Sequence, residues 1–253
     1  MIYDVQKASI LKRLSAFLLD FILLCVLTSG FAFLLAWITG IDGYTQALQG
    51  YYDECEAKYG VSLDITQEEY DKLSKEEQAV YDAAFDELNA NPDAIKAYNM
   101  SVALPMLITT ISILLSYVAL EFVVPLFLKN GQTVGKKVFS IGVVFNNSVR
   151  ITTFALFVRA IFGKYTIGTM FPVALIMLVF YGQMGILALV LVAALLILQL
   201  VLVIATKNNC FVHDILANTV VVDLQSQMIF DSTQALISYK EELSKQESEQ
   251  KEY

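Results

Sequence analysis

KRLSAFLLDFILLCVLTSGFAFLLAWI, residues 12–38, decides the fold. It is an apolar run opened by Lys12 and Arg13 and interrupted by one acid, Asp20. About 20 apolar residues cross the hydrocarbon core of a bilayer, so the run is long enough to span it. The basic flank and the length of the run argue for an uncleaved signal anchor rather than a signal peptide, whose apolar core has roughly 7–15 residues. A carboxylate inside a span costs roughly 2.5–3.5 kcal/mol, so Asp20 should face a partner or a wet cavity and not lipid.

Composition agrees with this reading. The chain is 57% hydrophobic and 17% charged, with a mean hydropathy of +0.59, well off a soluble domain of its length. Its net charge of -8 is unevenly placed: residues 42–99 hold fourteen acids against Lys58, Lys72, Lys75 and Lys96, a net of -10, so the remainder is net +2. The bases are few and lie beside apolar runs, which excludes a nucleic-acid surface. Cys25, Cys55 and Cys210 fall in three different segments, with no disulfide or metal spacing among them.

These features predict an all-α polytopic membrane protein with four transmembrane helices, an acidic extracytoplasmic helical insert and a small cytoplasmic β-hairpin. Residues 1–39 hold an interfacial segment and the first span. Residues 40–99 form the insert, where Thr66 with Glu69 and Ser74 with Glu77 fit capping boxes, and Val80, Tyr81, Ala84, Phe85 and Leu88 recur at helical spacing. That insert reads as a helical hairpin packing on itself or as a cap that gathers cations or binds a partner. Residues 100–128 are the second span, with Pro105, Glu121 and Pro125 inside it.

Residues 129–164 contain six bases and no acid, which by the positive-inside rule makes the loop cytoplasmic. Within it VFSIGVVF, the turn Asn146-Asn147-Ser148 and VRITT read as a hairpin. Residues 165–206 carry no charge. One helix of that length would reach about 63 Å, so two spans are expected, breaking near Tyr181–Gly185; a single long tilted helix is the alternative and would put the C-terminus outside. Residues 207–253 return to the cytoplasm with His213-Asp214, a strand at Val220–Val222 able to pair with the hairpin, and a charged tail that is helical or disordered. Both termini are then cytoplasmic.

Three motifs together resemble the RDD family of bacterial membrane proteins: RLSAFLLD, with Arg13 and Asp20 seven apart; GQTVGKKVFSIGVV from Gly131, followed by Arg159; and HDILANTVVV, in which Asp214 would be the family's second aspartate. The resemblance covers all but the insert and the tail. One departure is Asn146-Asn147-Ser148, where the family would place an acid-glycine pair. The resemblance implies a bacterial inner-membrane protein, with transport suggested and cation/proton antiport proposed for some members, and no catalytic reaction.

Two helical turns separate Arg13 from Asp20 and put both on one face, with Asp20 about 10 Å below the cytoplasmic edge. Glu121 lies about 12 Å from the same edge by the same rise. At one depth the two acids could form a carboxylate site that shares a proton or holds a monovalent cation. Arg13, Arg159, His213 and Asp214 are candidates for a cytoplasmic gate; alternatively Asp20 pairs with Arg159, Lys136 or Arg13 in a clamp that fixes topology, while Asp214 caps the following helical turn or holds Arg159. Lys136 and Lys137 in GQTVGKK are read as contacts for phospholipid headgroups, since the P-loop pattern is absent. A lone histidine and the lack of a nucleophile motif argue against an enzyme, a metal site and a cofactor. Four spans enclosing a pathway imply a homo-oligomer, with Gly163, Gly168, Gly182 and Gly185 as candidate contacts. The rival reading is a non-transporting scaffold that binds partners through its acidic insert.

Overall fold

The computed structural model describes residues 5–166 and 186–251. It is mostly helical with one two-stranded sheet, and it divides into two units, one of Met1–Ser29 with Ser112–Tyr253 and one of Gly30–Ile111. Among the described residues, two helices are long and apolar enough to cross a membrane: α1, Ile10–Thr39, and α5, Pro92–Leu128.

Helix α1 begins where the Ser9 hydroxyl accepts from the Lys12 amide at 3.3 Å. Phe17, Phe21 and Ile22 stand exposed along it, while Ala16 and Asp20, one turn apart, are buried. A helix that exposes its large apolar residues and buries its acid is turned inside out relative to a soluble one, as lipid surroundings require.

Helix α5 starts at Pro92, where a missing N–H costs nothing, and Asn91 caps it by accepting from the Asp93 amide at 3.0 Å. Over Val118–Val123 it widens to a π-helical turn, closed by Val124 N–H bonding to Ala119 O. Pro125 accounts for the widening, because it lacks the N–H that would bond the Glu121 carbonyl. A second π-helical stretch, Val158–Tyr165, continues from the short helix α7, Thr153–Phe157. Single-turn π segments inside helices cluster at functional sites.

Strand β1, Ile141–Phe145, pairs antiparallel with β2, Thr219–Asp223, in the register Val143 opposite Val221. Val143 and Val221 pack with Ala16 and Ile141, while Val144, Val220 and Val222 form a separate cluster. Burial on both faces explains why the strands read as continuous β-branched runs without polar alternation. The amino-terminal segment covers the free edge of β2, with Ala8 N donating to Val221 O at 3.1 Å and Asp223 N to Gln6 O at 3.0 Å.

The hairpin expected within residues 138–153 is reduced to a single bridge, Val144 with Arg150. Ser148 takes a positive φ of 64° to close the turn, but Thr152 then caps α7 by accepting from Ala155 N at 3.3 Å. The cap takes the residues that a return strand would need, and the Val220–Val222 strand supplies the partner from far along the chain.

Of the two spans expected over residues 165–206, the second corresponds to α8, Ile186–Ala205. The first and the proposed break lie within residues 167–185, outside the described residues. Beyond α8 come the one-turn helix α9, Val212–Leu216, and the tail helix α10, Thr233–Lys251, which the sequence left open between helix and disorder.

The second unit contains α2, Ile41–Tyr59, the one-turn α3, Gln67–Tyr70, and α4, Lys75–Ala90. Both expected capping boxes form, with Thr66 N donating to Glu69 at 2.8 Å and Ser74 N to Glu77 at 2.8 Å. Cys55, Leu63, Ala84, Leu88 and Ala94 make its core. Lys58 on α2 bonds Glu87 on α4 at 2.5 Å. The hydrogen bonds from Lys58 and Tyr59 hold the Glu87 carboxyl below the usual range. Val80 and Phe85, from the same stripe, remain partly exposed.

Candidate functional site

Two buried carboxylates tie the first unit together. Asp20 accepts from the Thr133 hydroxyl and from Gly135 N, the latter at 2.7 Å. Thr133 is itself the N-cap of α6, Val134–Val138, accepting from Lys136 N at 3.3 Å. Asp20 therefore caps a helix from outside, where amide donors are unsatisfied and the helix dipole favours an anion. Gly135 is required by the approach: a Cβ there would lie 2.9 Å from the Asp20 carboxyl carbon and collide with the Ala16 carbonyl.

Asp214, fully buried on α9, is the hub of the second cluster. It pairs with Arg159 and with Arg13 Nη2 at 3.5 Å, and it accepts from Phe211 N at 3.0 Å. Arg159 also donates to Thr219 Oγ1 at 2.8 Å, linking the pair to β2. Arg13 donates to Asn208 O at 3.3 Å, with its guanidinium 5.5 Å from the centre of the Phe211 ring. Burial pushes the Asp214 carboxyl up, but Arg159, the Phe211 amide and Arg13 outweigh it and hold the group down to about 2.

His213 stacks on Phe211 and packs against Gly163, where a Cβ would come within 2.8 Å of the His213 backbone. Burial keeps its imidazole well below the ordinary histidine range and so neutral. Gly163 is thus occupied within the subunit; Gly168, Gly182 and Gly185 lie outside the described residues.

Glu121 sits on the first π-helical turn and Lys164 on the second, and the two form an ion pair. Lys136 Nζ approaches Glu121 from α6 at 3.7 Å. Lys136 was expected at the headgroups, but its side chain turns inward because Thr133 and Gly135, bound to Asp20, fix the orientation of α6; Lys137, one position on, is exposed. Burial lowers the Lys136 ammonium to about 8, against the opposing pull of Glu121.

Asp20, Glu121, Lys136 and Arg159 line one cavity of about 80 Å³, and Arg13, Lys164 and the neutral His213 complete its polar wall. The structure brings all the candidate residues of the spans and the motifs together here, except Lys137 and the buried Asp214 behind Arg159. The two carboxylates keep different partners: Asp20 accepts from Thr133 and Gly135, and Glu121 pairs with Lys136 and Lys164. Arg13 serves Asp214 and not the acid on its own helical face. Sequence reasoning passed over Lys164, Thr133, Gly135 and Thr219. The only available signal was the fit of Thr133 to a cap and of Gly135 to a close approach.

An acid buried on an apolar helix, closed by a helix cap and a buried arginine pair, defines a buried polar cluster. The RDD family model matches residues 7–218, which includes Arg13, Asp20 and Asp214. The chain belongs to the RDD family, and the family with its two apolar helices points to a membrane protein. No curated protein and no solved structure matches it.

Proposed function

We propose that this is a four-span, bacterial inner-membrane transport protein with both termini in the cytoplasm, exchanging a monovalent cation for a proton at Glu121 and Lys136. The observation that carries the reading is the buried lysine beside a buried carboxylate in a cavity, with an ammonium that releases its proton near pH 8. When Lys136 is protonated, its charge supports the carboxylate. When it is neutral, a cation can replace that charge beside Glu121, so one cation enters for each proton lost. Asp20 and Asp214 position the site in this scheme, because their acceptors are already committed to α6 and to the arginines. The chemistry needs no bond-making step, which fits a carrier and not an enzyme.

The test is sodium-driven proton flux in proteoliposomes. Glu121→Gln should abolish flux, while Lys137→Met, at an exposed position, should leave it intact. Full flux in a folded Glu121→Gln protein overturns the proposal. A second reading, a scaffold that binds partners through its insert, is supported by the insert having its own core and by apolar Val80 and Phe85 exposed on an acidic helix. Under that reading, deleting residues 44–91 removes a co-purifying partner; a deletion that loses none argues against it.

A further inference from the structure

The two π-helical stretches meet along a seam of paired contacts. At one end Phe122 on α5 packs edge-on against Phe157, the last residue of α7, with ring centres 5.7 Å apart. The ion pair of Glu121 with Lys164 comes next. At the other end Tyr117 meets Tyr165 edge to face, with ring centres 6.1 Å apart and planes inclined at 74°. Along α5 the order is Tyr117, Glu121, Phe122, and on the facing side it is Tyr165, Lys164, Phe157, so the stretches run antiparallel and the ion pair lies between two aromatic contacts.

The tyrosines stand where the polar cavity stops: Glu121 and Lys164 line it, and Tyr117 and Tyr165 do not. Tyr117 lies about 6 Å from Glu121 toward the N-terminal end of α5, which is the extracytoplasmic end in the topology proposed above. Farther in that direction the buried side of α5 is polar again. Ser116 and Ser112 are fully buried; Ser116 Oγ donates to Ser112 O at 2.8 Å, and Ser112 Oγ has no hydrogen-bond partner among the described residues. Polar groups within a span face the protein interior or a wet route, and a buried hydroxyl left unpaired is costly. The two rings therefore separate a charged cavity from a second polar stretch of the same helix.

We propose that Tyr117 and Tyr165 form the gate that closes the exchange cavity toward the extracytoplasmic side. The gate takes its purpose from the exchange proposed above, although its closure can be measured without it. Two rings packed edge to face bridge the gap between the helices with apolar surface, which excludes water and blocks an ion without binding it. Tyr165 follows Lys164 directly, so a cation that draws Glu121 away from Lys164 shifts one ring of the pair. Binding at the acid and opening of the gate are coupled through that one step of backbone.

The test is proton leak into sodium-free proteoliposomes under a potassium diffusion potential set with valinomycin. Wild-type vesicles should leak no faster than protein-free ones. Tyr117→Ala should raise the leak at least tenfold, and Tyr165→Leu, which keeps apolar bulk in case the alanine protein does not fold, should do the same. Tyr117→Phe and Tyr165→Phe keep the rings and should stay at the wild-type level. Phe157→Leu loosens the aromatic contact at the other end of the seam and should not leak, which separates a gate from weakened packing.

Wild-type leak in Tyr117→Ala and Tyr165→Leu, each folded, overturns the gate. So does an equal leak in Phe157→Leu or in the phenylalanine variants. Sodium-driven flux measured on the same wild-type vesicles keeps the two proposals apart: its absence alongside leak in Tyr117→Ala refutes the exchange and retains the gate, and its presence without that leak refutes the gate alone.

Discussion

Replacing Gly135 with alanine adds one methyl group at the tightest contact between α1 and α6. The new Cβ would lie 2.9 Å from the Asp20 carboxyl carbon and closer still to the Ala16 carbonyl, and both are too fixed to yield. Two costs follow. Overpacking a filled contact costs about 1–3 kcal/mol. Moving α6 away also lengthens the Gly135 N–H bond to Asp20, and a hydrogen bond to a charged group is worth about 1.5–3 kcal/mol. Together these predict a loss of roughly 2.5–6 kcal/mol, or a fall of about 5–24 °C in Tm for a chain of this size. The assay is thermal unfolding of the purified protein in detergent, with Gly50→Ala as control. Gly50 lies within α2, and a Cβ there meets nothing within 4 Å. The control should stabilise by about 0.5–1 kcal/mol, as alanine does in a helix interior. If Gly135→Ala loses less than about 1 kcal/mol, the cap from Asp20 to α6 is not what fixes this contact.

Asp214→Asn leaves Arg159 and Arg13 without their common counter-ion and should cost about 3–5 kcal/mol, since breaking a buried pair is far worse than never having one; unfolding measurements that show less than 1 kcal/mol refute the hub. Lys136 is lowered in the folded state from 10.5 to about 8, so the unfolded chain holds more protons between those values and stability rises with pH across that window. By the shift itself the gain approaches about 3 kcal/mol, and it should vanish in Lys136→Met when unfolding is followed from pH 7 to 10.5. Ser74→Ala removes the cap of α4 and should cost about 1 kcal/mol, seen as faster amide exchange over Lys75–Gln78 and nowhere in the first unit.

The two long apolar helices and the capping boxes were legible because each depends on local pattern. Apolar length set α1, and Thr66 and Ser74 announced α3 and α4 through glutamates three residues on. Pairing was not legible. Glu121 has no base within seven residues in sequence, yet Lys136 and Lys164 reach it from two other elements. The inward turn of Lys136 follows from Thr133 and Gly135 meeting Asp20, a contact between residues more than a hundred apart. The hairpin reading failed for a related reason: β1 had a good turn after it, but Thr152 starts a helix and β2 makes the more extensive ladder. The π turn at Glu121 was in principle readable from Pro125, four residues on.

In the proposed exchange, the Lys136 proton is the one released beside Glu121. Lys136→Arg keeps the charge but removes its titration, because a guanidinium stays protonated at any accessible pH. The decisive measurement is the pH profile of sodium-driven proton flux in proteoliposomes. The wild-type flux should rise through about pH 8, and Lys136→Arg should stay low and flat from pH 6.5 to 9.5. A Lys136→Arg profile that matches the wild type would contradict the claim.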